Sequence, residues 1–210
     1  STGRVPSWPT DNAWFSFGVQ GPMARTVDDI ALMLQAIAGP DPRVPLCINE
    51  SPELFAGELA LANSPQRIAW ASTLGGLPVD PEVLRVLEGQ RAVFEEMGCI
   101  VEDACPDFRE ADEVFKVLRA FRFEMKFGPL TSEHAHQMKD TVLWNIEQGQ
   151  SLTGPEVGRA QQKRTTLFRK TIQFFEKYDF LIAPVSQVPP FSVEKPFVSE
   201  IDGVEMETYI

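Results

Sequence analysis

The sequence predicts an α/β fold, because short apolar segments alternate with longer segments of helical periodicity. Three such short segments lie at 67–72, 99–103 and 180–183. A strong helix signal at 80–97 separates the first two of them. Since a strand, a helix and a strand in this order form a right-handed parallel crossover, the first two strands are predicted to be parallel neighbours. The third strand is expected to join the same sheet.

Length and composition are those of one globular domain. The chain has 210 residues, 43% of them hydrophobic, so residues 1–210 are predicted to form a single unit with a sizeable core. No run of about 18 apolar residues occurs, which excludes a membrane-spanning helix. The 19 basic and 30 acidic side chains give a net charge of -11, which disfavours electrostatic binding to nucleic acid. Neither a nucleic acid nor a membrane is therefore an expected partner.

The first helix is predicted to follow Thr26, a preferred N-cap residue with Asp29 three positions later. Apolar residues at helical spacing then predict a buried stripe on this helix. The stripe consists of Val27, Ile30, Ala31, Leu34, Ile37 and Ala38. Gly39 and Pro40 end the helix, since glycine favours the C-terminal cap and proline cannot continue it. The segments 1–25 and 40–66 are predicted to be irregular.

Four further helices are predicted from capping residues and apolar spacing. They lie at 80–97, 110–127, 133–148 and about 154–177. The first of them starts with Asp80 as a cap and Pro81 at the first helical position. The last starts at a capping box formed by Thr153 and Glu156. Its predicted core-facing stripe consists of Val157, Ala160, Leu167, Phe168, Thr171 and Phe175.

Charged residues are unevenly distributed along the chain. Acidic residues are concentrated at 102–113, and basic residues at 159–170 on the last predicted helix. Basic residues on a helix mostly mark a solvated face, so the basic cluster is expected to face water. Arg164 is the exception, because it lies three and four residues from members of the apolar stripe. We therefore expect Arg164 to be partly buried and to have a hydrogen-bonding partner.

Cysteine and histidine residues do not form the pattern of a metal centre. The cysteines are Cys47, Cys99 and Cys105, with no CxxC pair among them. Their low, odd number indicates a reducing compartment, which predicts a cytoplasmic protein without a disulfide framework. His134 and His136 would point in opposite directions on a helix and are expected to be solvated. No metal and no cofactor is predicted.

Four pieces, in order along the chain, resemble those of the amidase signature family. The first is GPMARTVDD at 21–29, running on to IAGPDPR at 37–43, and the others are the segments 67–83, 98–103 and 178–191. GRVP at 3–6 also resembles the family segment just upstream of the first piece. Each segment alone is weak, but their shared order is specific. The chain departs from the family pattern at Val44, where the family usually has aspartate, and at Pro190, where alanine is common.

The resemblance implies a three-layer α/β/α fold with a mixed sheet, of which this chain supplies a partial sheet flanked by helices. It also implies a hydrolase with a triad of a nucleophilic serine, a second serine before a cis peptide bond, and a lysine. In the family the nucleophile lies in a Gly/Ser-rich signature, which does not occur in residues 1–210. The family pattern places this signature before Gly3 and the last region of the domain after Tyr209. We therefore expect a fragment of an amidase domain, with no catalytic residue in this chain.

The function that the resemblance implies is hydrolysis of a carboxylic amide to a carboxylate and ammonia or an amine. One alternative is the glutaminase subunit of a tRNA-dependent amidotransferase. A second alternative, from a different class, is a non-catalytic α/β module that supports or binds. A small-molecule amide is the expected ligand, and self-association or a homo-oligomer is a further hypothesis.

The candidate substrate-binding residues are Arg164, Trp14, Phe15, Ser186 and Gln187. In glutamine-using members of the family, an arginine fifteen residues before the aspartate of the YD pair holds the substrate carboxylate. Arg164 stands fifteen residues before Asp179, with a structural ion pair as its alternative role. The serine and the glutamine follow the strand at 180–183, at the end of an open α/β sheet where ligands bind. The two aromatic residues, Trp14 and Phe15, are expected to contact the acyl group of the substrate. The alternative is that their side chains serve only in packing.

Overall fold

The computed structural model describes residues 2–57, 65–206 and 208. The chain divides into two compact units, Ser1–Leu61 and Ala62–Ile210, which we call unit 1 and unit 2. Unit 1 contains the first predicted helix. Unit 2 contains the three predicted strands and the remaining predicted helices.

Unit 1 contains helix α1, Val27–Ile37. The Thr26 Oγ1 accepts a hydrogen bond from the Asp29 N–H at 3.1 Å, so the predicted N-cap is confirmed. The chain leaves the helix and turns at Gly39, whose φ of +121° glycine adopts at little cost. Both ends of α1 are therefore set by the residues that the sequence marks as caps.

The apolar stripe predicted for α1 is not buried, and this expectation is wrong. No residue of α1 is buried, and Val27 is 64% exposed. The helix lies against a 3-10 helix, Pro52–Phe55, in a segment predicted to be irregular, and Gln35 Nε2 donates to the Phe55 carbonyl at 2.9 Å. A partner of four residues covers too little of an eleven-residue helix to bury a full stripe.

A three-stranded parallel sheet forms the centre of unit 2. Its strands are β1 (Arg67–Trp70), β2 (Ile100–Asp103) and β3 (Phe180–Ile182), in the order β2-β1-β3. Ala69 lies opposite Glu102 on one side and opposite Leu181 on the other. The predicted parallel neighbours, the third strand and the α/β class are therefore confirmed. Strand β1 is the central strand, and its apolar residues Ile68, Ala69 and Trp70 are buried.

The predicted helix at 80–97 is two helices, α2 (Pro81–Glu88) and α3 (Arg91–Glu96), so its predicted continuity is wrong. Asp80 caps α2 as predicted, because its Oδ1 accepts from the Glu82 N–H at 2.8 Å. Gly89 stands at the break. Glycine is about 1 kcal/mol less favourable than alanine inside a helix, so little stability is lost by ending the helix there. Helix α3 lies against β2.

Helices α4 (Ala111–Phe127) and α6 (Asp140–Ser151) pack closely against each other. Their buried residues are Val114, Leu118, Ala120, Asn145 and Ile146. Gly149 permits the close approach, since a Cβ at this position would lie 2.4 Å from the Ala120 carbonyl oxygen. The crossing of α4 and α6 therefore depends on a residue without a side chain.

The single helix predicted at 133–148 is wrong in its first half. The chain forms the short helix α5, Thr131–His134, then a 3-10 turn, and α6 begins only at Asp140. His134 and His136 are exposed, as expected. The segment carries polar side chains without an apolar stripe, so no packing holds a continuous helix across it.

Helix α7, Gly154–Phe175, begins at the predicted capping box, which is confirmed. The Glu156 carboxylate accepts from the Thr153 N–H at 2.7 Å. Within the predicted stripe, Ala160 is buried, but Phe168 is 63% exposed and Phe175 is 40% exposed, so the stripe is wrong at these two residues. Phe168 follows Ala160 by eight residues, and each residue turns the chain by about 100° around the helix axis. The two side chains therefore point about 80° apart.

A two-stranded antiparallel ribbon, β4 (Glu200–Ile201) and β5 (Val204–Glu205), was not predicted. Its turn residues Asp202 and Gly203 have φ values of +48° and +77°. Positive φ at both central residues is the geometry of the hairpin turn that an Asp-Gly pair favours. The sequence therefore contained a usable signal for this ribbon.

Candidate functional site

Three loops leave the carboxyl end of the parallel sheet in unit 2. They begin at Ala71 after β1, at Ala104 after β2 and at Ala183 after β3. The Ala71 N–H donates to the Ile182 carbonyl at 2.9 Å, and the Ala104 N–H donates to the Trp70 carbonyl at 3.2 Å. Open α/β sheets bind ligands outside this end, so these loops form the candidate site of unit 2.

Gln187 connects the loop after β3 to the loop after β1 by two hydrogen bonds. Its Nε2 donates to the Pro78 carbonyl at 2.7 Å, and its own carbonyl accepts from the Asp80 N–H at 2.8 Å. Ser186 beside it is exposed, and its Oγ accepts from the Val188 N–H at 3.4 Å. Gln187 thus has a structural role, and contact of either side chain with a substrate stays a prediction.

Asp107, in the loop after β2, is a carboxylate held by two cationic side chains. Arg109 donates to it from Nε and Nη2, both at 2.8 Å, and Lys170 donates from Nζ at 2.8 Å. The hydrogen bonds from Arg109 and then from Lys170 hold the pKa of Asp107 well below its usual range. Asp107 is therefore an anion at neutral pH and far into the acid range.

Cys105 lies in the same loop and is not activated as a nucleophile. Burial raises the pKa of its thiol, so the sulfur is protonated at neutral pH. A Cβ on Gly75, in the loop after β1, would lie 3.8 Å from the Cys105 Sγ. The loops after β1 and β2 therefore approach each other at this cysteine.

Two lysines of α7 pair with the acidic cluster at 102–113. Lys170 contacts Asp107, as above, and Lys163 forms an ion pair with Glu113 of α4. The expectation that the basic cluster faces water is therefore wrong for these two residues. Seven residues make almost two helical turns, so the two lysines share one face of α7. The signal in the sequence was the presence of two compact clusters of opposite charge.

Arg164 lies about 9 Å along the axis of α7 from Lys170, toward the start of the helix. Arg164 is half-buried and takes part in at least one polar, ionic or ring interaction. It stands one turn from Ala160, which is 1% exposed. The expected partial burial is confirmed, and its role toward a substrate stays a prediction.

The two aromatic candidates, Trp14 and Phe15, belong to unit 1. Trp14 is 72% exposed, and its backbone N–H donates to Asn12 Oδ1 at 3.2 Å. Phe15 is half-buried, with its ring centroid 6.0 Å from that of Phe17 and tilted by 58°. An exposed indole beside a tilted aromatic pair is a suitable surface for an apolar acyl group, and this role stays a prediction.

The AGPDPR segment forms a turn closed by a carboxylate and a guanidinium group. Arg43 donates to Asp41 from Nε at 2.9 Å and from Nη2 at 2.7 Å, and its backbone N–H donates at 2.9 Å. These hydrogen bonds lower the pKa of Asp41 from 3.8 to about 2. The motif thus has a structural explanation inside unit 1.

The YD pair likewise has a structural role, at the amino end of the sheet. The Asp179 carboxylate accepts from the Arg67 N–H at 2.7 Å, and the Asp179 N–H donates to the Arg67 carbonyl at 2.8 Å. Tyr178 is buried, and its hydroxyl accepts from Lys177 Nζ at 2.9 Å. These bonds place the start of β3 beside the start of β1.

Two further kinds of site are absent from residues 2–57, 65–206 and 208. Within these ranges no group of three or more His, Cys, Asp or Glu side chains could hold a metal ion. None of the helices in the described part of the chain combines the length and apolar character needed to cross a bilayer.

The similarity to known proteins extends over most of this chain. The amidase family model matches residues 1–209. An acylamidase of Rhodococcus erythropolis is 29% identical over 98% of this chain and 44% of its own length. A glutamyl-tRNA(Gln) amidotransferase subunit of Picosynechococcus sp. is 29% identical over 81% of this chain and 41% of its own length.

The fold is also that of a solved structure. The crystal structure of a bacterial aryl acylamidase of the amidase signature enzymes matches 99% of this chain with a TM-score of 0.80, at 23% identity. The match covers 46% of that protein, so the chain spans less than half the length of the relatives it resembles. Because the family model covers both units, the chain belongs to the amidase signature family.

Proposed function

We propose that residues 1–210 are the part of an amidase that binds and orients the substrate. An amidase is a hydrolase that converts a carboxylic amide into a carboxylate and ammonia or an amine. The observation that carries this proposal is the family match over residues 1–209. The similarity to an acylamidase over 98% of the chain supports the same reaction class.

Cleavage of an amide requires an activated nucleophile, oxyanion donors and a proton donor for the leaving amine. The chain has no Gly/Ser-rich signature, and the one thiol at the candidate site, Cys105, is held in its protonated form. In our proposal the nucleophile and its base come from sequence outside residues 1–210. The relatives, of which this chain covers less than half, have room for such a segment.

The role of this chain is then to bind and orient the substrate. Arg164, in the middle of α7, holds a carboxylate of the substrate, and Ser186 and Gln187 contact the substrate from the loop after β3. In unit 1, taken by itself, Trp14 and Phe15 offer an apolar surface that suits an acyl group. A guanidinium suits a carboxylate because it offers two parallel N–H donors.

The glutaminase subunit of a tRNA-dependent amidotransferase is the second candidate. The position of Arg164, fifteen residues before Asp179, favours it, as does the similarity to an amidotransferase component. This candidate predicts hydrolysis of glutamine in preference to aryl or aliphatic amides, with transfer of ammonia to a partner protein. The amidase predicts turnover of simple amides without a partner.

The proposal also covers the cellular compartment and the oligomeric state of the protein. Cys47, Cys99 and Cys105 are free, which supports the cytoplasm as the compartment. The exposed apolar side chains of α1, among them Val27 and Leu32, support self-association into a homo-oligomer.

Assays of the full-length gene product and of residues 1–210 alone, side by side, test the proposal. Suitable substrates are butyramide, succinamate, glutamine and an aryl acylamide. We expect the full-length product to release ammonia or aryl amine, and residues 1–210 alone to release none. The control is the full-length product with the serines of its Gly/Ser-rich signature replaced by alanine.

Each other outcome of these assays contradicts a defined part of the proposal. Absence of amide cleavage by the full-length product would contradict the enzymatic function and favour a non-catalytic module. Turnover by residues 1–210 comparable to that of the full-length product would place the nucleophile inside this chain.

A further inference from the structure

Helix α7 packs against α4 and, in addition, forms two ion pairs with the rest of unit 2 from one of its faces. Lys163 pairs with Glu113 near the start of α4, and Lys170 pairs with Asp107 in the loop after β2. The two ion pairs are almost two turns apart, so together with the packing on α4 they restrict both the rotation of α7 and its position along its axis.

The Lys170–Asp107 attachment is the more constrained of the two. Its side chains are 37% and 29% exposed, whereas Glu113 in the other pair is 58% exposed. Asp107 is itself fixed, because Arg109 holds both of its carboxylate oxygens and also donates its backbone N–H at 3.2 Å. An ion pair whose carboxylate is already ordered loses less side-chain entropy than a typical surface pair.

Arg164 lies on the same helix, so its position follows that of α7. It is six residues from Lys170, about 120° around the helix axis, on the side that carries buried Ala160. If α7 slides or rotates, the guanidinium of Arg164 moves with it. A misplacement of about 1 Å in a substrate-orienting group can reduce turnover by as much as a hundredfold.

We infer that Lys170 and Asp107 are positioning residues that set where α7 presents Arg164 to a carboxylate-bearing substrate. This inference rests on the proposed function. Asp107 lies in one of the loops of the candidate site, but its carboxylate is occupied by Arg109 and Lys170, so both residues of the pair act through the placement of α7. An amide without a carboxylate does not use Arg164, so its binding is insensitive to this ion pair.

The test uses the full-length protein and two substrates, succinamate and butyramide, which differ by a carboxylate in place of a methyl group. The variants are Lys170→Met and Asp107→Asn, with Lys170→Arg as the conservative rescue. Arg169→Met is the matched control, because it removes an exposed positive charge from the neighbouring position of α7. Circular dichroism establishes whether each variant is folded.

We expect Lys170→Met and Asp107→Asn each to raise the KM for succinamate about tenfold, with the KM for butyramide changed by less than about twofold. Lys170→Arg restores the KM for succinamate, since a guanidinium also pairs with Asp107. Arg169→Met leaves both constants unchanged. The double variant Lys170→Met/Asp107→Asn shows no more than the effect of either single change, because the same contact is removed.

The inference is overturned if the KM rises equally for both substrates, or if Lys170→Met behaves like Arg169→Met. Failure of both Lys170→Met and Asp107→Asn to fold also overturns it, because the ion pair is then needed for stability rather than for positioning. If the unmodified protein cleaves neither amide, the proposed function fails and the inference fails with it. Cleavage by the unmodified protein without the selective effect counts against the inference alone.

Discussion

Unit 1 and unit 2 differ in what holds them together. Every buried side chain in the described part of the chain lies in unit 2, between Ile68 and Ile201, and none of residues 2–57 is buried. Polar contacts hold unit 1 instead. Arg4 forms an ion pair with Glu50 at 2.7 Å, and the Cys47 Sγ accepts from the Asp41 N–H at 3.3 Å.

The difference shows that a strong sequence motif does not imply a deep core. The segments GPMARTVDD and AGPDPR lie in unit 1, where their residues form a helix cap and a turn rather than an interior. The interior of unit 2 is built from strands and helices whose sequences are less distinctive. The two units should therefore respond to different perturbations, packing changes in unit 2 and charge changes in unit 1.

The largest effect is expected from Gly149→Ala in unit 2. The new Cβ would lie 2.4 Å from the Ala120 carbonyl oxygen and 2.5 Å from the Glu124 Cβ, so α4 and α6 must move apart. We expect the free energy of unfolding to fall by about 1–3 kcal/mol, measured by urea denaturation.

Gly158→Ala is the matched control for this change. It is the same substitution inside α7, where nothing lies within 4 Å of the new Cβ. Alanine is favoured over glycine in a helix by about 1 kcal/mol, so this variant should be as stable as the original or more stable. Equal losses in both variants would contradict the close crossing of α4 and α6.

A smaller effect is expected in unit 1, where acid should release the turn at Asp41. Its pKa is lowered from 3.8 to about 2 by the hydrogen bonds from Arg43. A lowered pKa means that the contact contributes to stability above the ordinary carboxyl pKa and is lost as the pH falls through about 2. Carboxyl-carbon NMR should give a midpoint near 2 for Asp41.

Arg43→Gln is the control, since it removes the charge and should return the Asp41 midpoint toward 3.8. If the midpoint is already near 3.8 in the unmodified protein, the ion pair does not hold this turn. Such a result would contradict the conclusion that polar contacts hold unit 1 together.

Features set by neighbouring residues could be predicted from the sequence. The caps at Thr26, Asp80 and Thr153 depend on side chains within three residues of the helix start, and all three are present. The parallel pairing of β1 with β2 follows from the handedness of a crossover, which is common to all such units. Local chemistry and chain topology were sufficient for these features.

Features that depend on distant partners could not be predicted. The apolar spacing of α1 indicates which face would be buried, but not whether anything covers that face. The pairing of Lys170 with Asp107 joins residues 63 positions apart, which no local pattern specifies. In contrast, the Asp202-Gly203 turn carried a local signal and was missed.

The most direct test of the central claim is the effect of Arg164→Ala on the full-length protein. The claim is that this chain supplies the substrate side of an amidase, with Arg164 as the group that holds a substrate carboxylate. Loss of a charge-assisted hydrogen bond should raise the KM for succinamate by about tenfold or more and change the KM for butyramide little. Arg169→Ala, an exposed neighbour, is the control. An equal change for both substrates, or no change for either, would contradict the claim.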